Sequence, residues 1–229
     1  MERKKRFWLF ILIRTVANSL IILGIVFAFV SFWPFVNAEI KYWFNNWRNI
    51  EYVVEDGTAR AVEVEKGKDP EKKKNQRTIR PENTDFGIVI EKIGVNSPVV
   101  ANVNSGNYDE YIAALQFGVA HARGTAVPGS TNAQNNNVFL FAHSAINPIE
   151  ARRYNSVFYL LRKLEKGDRV VTYYNGKRFD YVVFEKKVVE ADDVRYLTDN
   201  SEEPILTLQT CDPPGSSLRR LIITAILVN

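Results

Sequence analysis

The stretch Ile205-Leu206-Thr207-Leu208-Gln209-Thr210-Cys211 decides how the rest of the chain is read. Isoleucine, leucine and threonine favour a pleated, half-buried surface, so the stretch predicts a short β-strand. The strand stops at Cys211, the single cysteine of the 229 residues. Asp212-Pro213-Pro214-Gly215-Ser216-Ser217 follows as a loop, because two prolines and a glycine oppose further ladder pairing. Arg219-Arg220 then opens a second apolar run, Leu221 to Val228. If the two runs pair, a thiol at the rim of one strand faces a guanidinium at the start of the next.

Working outward, composition narrows the chemistry. One cysteine excludes an intramolecular disulfide. Two histidines and no second thiol would force a zinc site onto carboxylates, and no ligand spacing is visible, so neither a metal nor another cofactor is expected. The formal net charge is +4, but Arg3, Lys4, Lys5, Arg6 and Arg14, set against Glu2, account for all of it. The remaining chain is formally neutral, which argues against a nucleic-acid face.

The same basic cluster precedes an uncharged apolar run, Thr15 to Val36. At ~1.5 Å per residue, such a run crosses a ~30 Å hydrocarbon core as a helix. Lysine and arginine on its near side hold the N-terminus in the cytoplasm and place the remainder outside. A cleaved signal peptide is the rival reading, with Val36-Asn37-Ala38 resembling a small-residue cleavage site; the apolar run is longer than a usual signal core. Four segments follow: a basic N-terminus (1–14), a transmembrane anchor (15–36), a stalk or linker (37–82) and a β-rich domain (83–229). Within the stalk, Ile40 to Trp47 is aromatic and reads as a helical continuation, whereas Lys66 to Arg77 is too polar to bury a core.

The β-rich domain is a series of short strands separated by turn residues. Phe86 to Glu91 and Ser97 to Val100 are strands, Tyr108 to Phe117 is a short helix, and Val138 to Ala142 is a buried strand ending at His143. Ser156 to Leu164 reads as a helical turn or two, and Asn175-Gly176 as the type I′ turn of a hairpin. Many short strands with minor helices predict a mainly β, closed or nearly closed barrel. Two strand ends carry reactive side chains, His143 and Cys211. A thiol attacks a carbonyl near neutral pH only with a base or a cationic neighbour, and the resulting oxyanion needs a donor. The plain alternative is that a lone cysteine at a strand end is a small core hydrophobe.

Thr207-Leu208-Gln209-Thr210-Cys211 resembles the TLxTC signature of sortases, the membrane-anchored cysteine transpeptidases of bacterial surfaces. Further segments match in order: Ile90 to Val95 with Pro98-Val99, Leu115 to Gly129, Asn137 to Ser144, and Leu164 to Asp168. The resemblance covers roughly residues 85–228. It implies a sortase-like closed β-barrel with short helices behind a transmembrane helix. It also implies Cys211 as nucleophile and His143 as general acid/base. For the arginine, Arg220-Leu221-Ile222-Ile223 fits the family's pattern of arginine before an apolar triplet, with Arg219 as the alternative; strand alternation lets only one of them face Cys211. His121 and Thr210 are substrate-groove candidates, His121 being read in a loop before Gly124 and Pro128. Glu91 and Ala142 depart from the family pattern, which has proline and glycine there.

The implied reaction cleaves a C-terminal LPxTG-type sorting signal between threonine and glycine. A thioester forms on Cys211, and an amine of cell-wall peptide or a pilin lysine resolves it. The implied partners are surface proteins bearing such signals, an acceptor amine and the membrane through residues 15–36, at the extracellular side of the cell membrane. Two other readings stand beside it. One is a tethered binding module that keeps the fold without catalysis. The other is a different cysteine acyltransferase such as an L,D-transpeptidase, which sets its cysteine in an SxGCxR segment shortly after a histidine, unlike Thr210-Cys211.

Overall fold

A computed structural model describes residues 2–55, 76–130, 135–144 and 156–228. The chain divides into two compact units, residues 1–41 and 42–229.

The first helix, α1, runs Glu2–Trp47. Leucine, isoleucine, valine and phenylalanine sit around its whole circumference between Phe7 and Phe32, and they are exposed. A helix apolar on every side has no water-facing stripe and needs an apolar solvent, which a bilayer supplies. The part Glu2–Trp33 is long and apolar enough to cross a membrane. Helical structure thus begins well before Thr15 and continues beyond Val36, taking in the aromatic stretch to Trp47.

The stalk expected over 37–82 is not uniform. Beyond the end of α1, strand β1 (Glu51–Val54) pairs in parallel with β2 (Gln76–Ile79). Val54 is buried against Val89, Val171 and Tyr173, with Ile79 beside them. The Val54 amide donates to Glu91 Oε1 at 3.0 Å, giving the departure at Glu91 a structural use. Strands β1 and β2, within the predicted linker, therefore pack on the β-rich domain, because Val54 and Ile79 carry the apolar surface that its outer face buries. Residues 56–75, including nearly all of the polar run, lie outside the described residues.

The second unit is organised by a closed eight-stranded barrel. In chain order its elements are β3 (Phe86–Ile90), β4 (Val95–Val103), helix α2 (Tyr108–Leu115), β5 (Val119–Ala122), β6 (Asn137–Phe141), β7 (Arg169–Tyr174), β8 (Lys177–Glu190), the single turn α3 (Arg195–Thr198), β9 (Ile205–Asp212) and β10 (Arg219–Leu227). Around the barrel the order is β10, β8, β7, β3, β4, β5, β6, β9. β4–β5 and β6–β9 are parallel and the other pairings antiparallel. Closure removes the free edges that open sheets must protect. The expected closed barrel with short helices is the observed fold.

Local chemistry accounts for the elements. Asn175 and Gly176 both take positive φ, 50° and 75°, as a type I′ turn requires, and they join β7 to β8. Asn107 caps α2, its side chain accepting from the Glu110 amide at 3.2 Å. Inside the barrel, Ile88, Ile90, Leu140, Leu206, Leu208 and Ile223 are fully buried. Each such side chain contributes about 1.5–3 kcal/mol by leaving water, which holds the strand ends in place.

Candidate active site

Period-two alternation sorts the residues of three adjacent strands. On β6, Val138 and Leu140 face the barrel core, with Ala142 beyond them. Phe139, Phe141 and His143 therefore face outward. On β9, Leu206 and Leu208 face the core, leaving Thr207, Gln209 and Cys211 outside. On β10, Leu221, Ile223 and Ala225 are inside, so Arg220 is outside. Since β6 and β10 both pair with β9, the outer residues form one continuous patch. Register sets Arg220 directly opposite Cys211.

Phe139, Phe141, His143, Gln209, Cys211 and Arg220 of that patch line a cavity of about 830 Å³, which Thr207 does not reach. His143, Cys211 and Arg220 are half-buried. One wall is α2. Tyr108, Tyr111, Ile112 and Leu115, spaced as i, i+3, i+4 and i+7, all line the cavity. Tyr111 also packs edge-to-face on Phe141, with ring centroids 6.4 Å apart. Burial raises the Tyr111 pKa, Tyr108 and Cys211 reinforce the shift and Arg220 opposes it, so the phenol remains a protonated donor. The connection between β8 and β9 supplies further lining, Ala191, Asp193, Val194 and Leu197.

The end of β6 is tied down on both sides. The Ala142 amide donates to the Gln209 carbonyl at 3.2 Å, and the Phe158 amide to the His143 carbonyl at 3.2 Å. Thr210 Oγ1 donates to the Ala142 carbonyl at 2.7 Å. Thr210 shares the inner face of Leu206 and Leu208. It borders the cavity, and its hydroxyl is committed to the end of β6.

The two arginines differ as alternation predicts. Arg219 is exposed, pairs with Asp212 across the ladder and makes an ion pair with it at 3.3 Å. β9 thus extends one residue past Cys211, because Asp212 finds a partner in Arg219. Arg220 Nη1 donates to the carbonyls of Ser217 at 2.9 Å and Arg219 at 3.1 Å. Among the described residues Arg220 has no carboxylate partner, so its charge is directed at the cavity and not cancelled.

His121 departs from its expected setting. It lies in strand β5, not in a loop, is 3 % exposed, and does not line the cavity. Its Nδ1 accepts from the Asn102 amide at 3.2 Å. Nε2 therefore carries the proton and donates to the Ala126 carbonyl at 2.9 Å, with Thr125 Oγ1 at 3.0 Å. Burial lowers its pKa and outweighs these two neighbours, which act to raise it. The residue is a neutral staple between β5 and the loop that follows.

Sequence reasoning missed Tyr111, Val194 and Leu197. The i, i+3, i+4, i+7 stripe of α2 carried a signal for the first, although periodicity alone does not say what a stripe covers. Among the described residues no group of three or more histidine, cysteine, aspartate or glutamate side chains is placed to hold a metal ion.

Comparison with known proteins gives a consistent set. The sortase-domain family model matches residues 88–228. Sortase D of Bacillus subtilis is 26% identical over 155 residues, covering 66% of this chain and 68% of that protein. The crystal structure of sortase C-1 from Actinomyces oris superposes with a TM-score of 0.53 at 26% identity, covering 65% of this chain and 74% of the other. Clostridium perfringens sortase C, solved with a C-terminal cell wall sorting motif, superposes at 0.52 with 23% identity, covering 65% and 72%.

Proposed function

The chain belongs to the sortase family, and from that premise we propose that it is a membrane-anchored cysteine transpeptidase in which Cys211 is the nucleophile, His143 the general acid/base and Arg220 the oxyanion donor. The observation that carries this reading is the cross-strand pair Arg220–Cys211, set in one cavity with His143. Thiolate, proton carrier and fixed cation are the three parts that acyl transfer through a thioester needs.

The steps follow from those roles. The Cys211 thiolate attacks the carbonyl carbon of the scissile peptide bond, and the developing oxyanion lies against the Arg220 guanidinium. The C–N bond breaks as the His143 imidazolium passes its proton to the departing amine, leaving an acyl thioester on Cys211. An incoming amine then attacks the thioester, His143 takes its proton, and the thiolate departs. Water in place of the amine gives hydrolysis. The proposed substrate is a surface protein ending in an LPxTG-type sorting signal, cut between threonine and glycine, and the proposed acceptor is an amine of cell-wall peptide or a pilin lysine. The sorting motif present in the Clostridium perfringens structure supports the substrate class. The basic residues before Thr15 support a cytoplasmic N-terminus and an extracellular catalytic domain.

The test uses the full chain in detergent micelles with LPxTG peptides and a small amine acceptor. Intact-mass analysis should show an acyl adduct on Cys211 that hydroxylamine removes. Cys211→Ala should abolish both adduct and cleavage while circular dichroism stays unchanged. Cleavage by the Cys211→Ala protein would remove the thiol from the mechanism. A wild-type protein that never acylates is a binding module.

A further inference from the structure

The cavity lining supplied by the connection between β8 and β9 is short and exposed, and a buried side chain of the barrel anchors it. Val194 is 56% exposed although it lines the cavity, and Leu197 stands beside it, one residue from each end of the single turn α3. A four-residue turn has little stability of its own, since nucleating a helix costs more than its first bonds return. Its internal bonds are few, with the Leu197 and Thr198 amides donating to the Val194 carbonyl at 2.9 and 3.0 Å. Something outside the turn must therefore hold it.

Asp193, which accepts from the Arg195 amide and guanidinium, and Lys187, which meets Tyr196, contribute; the buried anchor is Asn137, at the start of β6, on the strand's outward face and 2 % exposed. Asn137 Nδ2 donates to the Tyr196 carbonyl, in the middle of α3, at 2.8 Å. Asn137 Oδ1, on the far side of the same amide from Tyr196, accepts from Thr207 Oγ1 of the neighbouring strand at 2.8 Å. The next residue back reinforces it: the Asn136 amide donates to the Ser201 carbonyl at 3.2 Å and Asn136 Nδ2 to the Glu202 carbonyl at 2.8 Å. β6 thus carries His143 beyond one end and grips this part of the cavity lining from the other.

We propose that Asn137 is a positioning residue for substrate binding: it clamps α3 so that Val194 and Leu197 present a preformed apolar wall to the side chains of the sorting signal. A preformed wall removes the ordering cost that binding would otherwise carry, so the clamp acts on KM. It does not touch Cys211, His143 or Arg220, so kcat is left alone. This rests on the transpeptidase reading for its kinetic consequence, but the clamp itself is a property of the fold.

Two measurements on the full chain in detergent separate these. Amide hydrogen exchange reads the clamp without substrate. In Asn137→Ala, and in the isosteric Asn137→Asp, which keeps an acceptor for Thr207 and loses the donor to Tyr196, the amides of Leu197 and Thr198 should exchange about tenfold faster than in wild type, the scale of one lost buried hydrogen bond. Thr207→Val removes a buried bond on the other side of the same amide, so it should lower Tm by a similar amount while leaving exchange at 197–198 within about twofold. With an LPxTG peptide the two Asn137 variants should raise KM about tenfold with kcat within about twofold, and Thr207→Val should change neither. Unchanged exchange in both Asn137 variants overturns the clamp whatever the activity. Faster exchange with unchanged KM on a peptide that wild type cleaves overturns its role in binding. If wild type cleaves no such peptide, the transpeptidase reading is what fails, and exchange alone decides the clamp.

Discussion

The two histidines lie on or just beyond neighbouring antiparallel strands, in opposite circumstances. His121 is inside β5, its ring sealed and both nitrogens committed. His143 lies two residues past the end of β6, half-buried and lining the cavity with Cys211. The same side chain is a staple in one place and a candidate proton carrier in the other. What differs is access: a ring that cannot exchange protons with a reactant cannot act as acid or base, however close its ordinary pKa lies to neutrality. The arginines repeat the lesson over one residue, Arg219 paired with Asp212 at an exposed site and Arg220 lining the cavity.

The sharpest way to break the contrast is to remove both imidazoles in turn. His143→Ala should lower kcat/KM for an LPxTG peptide by about 10²–10⁴-fold, the usual contribution of a general acid/base. His121→Ala should leave activity within a few fold at a temperature where it is folded. Equal losses at the two positions would reverse the assignment. Next in size is the arginine pair. A fixed fork of donors is not replaced by an ammonium, so Arg220→Lys should lose roughly 10²–10³ in kcat, about 2.7–4 kcal/mol. Retained activity there would transfer the oxyanion to backbone amides.

A smaller effect belongs to stability. His121 has a depressed pKa in the folded protein, so below its ordinary value of 6.5 the unfolded chain takes up a proton that the folded one refuses. Stability should therefore be full above about pH 6.5 and fall as the pH drops from there towards the folded pKa. Urea melts of wild type and His121→Gln across that range should show a shallower pH slope in the variant, alongside a loss of about 1–3 kcal/mol for each buried backbone group left unpaired. A slope unchanged by the substitution would assign the pH response to other groups. Smallest of all is Arg219→Lys, which keeps a charge beside Asp212 at an exposed site. Activity and Tm should both stay near wild type, because exposed ion pairs contribute about 0–1 kcal/mol.

Much of the fold was legible in the residues. The Asn175-Gly176 turn announced its hairpin because few residues other than glycine and asparagine tolerate positive φ there. Alternation along Ile205 to Cys211 and Leu221 to Ile226 foretold that only one arginine would share the face of Cys211. The misplacements fell where long-range contacts override local pattern. Glycine and proline close behind His121 suggest a loop, yet pairing of β5 with β4 and β6 makes it strand. Residues 37–82 read as a stalk or linker, yet Val54 and Ile79 pack on a surface that includes Val89 and Val171.

From the sequence by itself came the apolar helix, the strand-rich domain, and the candidate residues His143, Cys211 and Arg220 or Arg219, because periodicity, turn chemistry and ordered motifs are local properties of a chain. Tertiary structure alone decided that β6, β9 and β10 lie side by side, so that residues 143, 211 and 220 border one cavity. It alone decided which histidine is sealed, and that α2 and the turn at 195–198 wall the site. These are facts of closure: the barrel brings together strands distant in sequence, and burial and register are fixed only once every strand has found its neighbour.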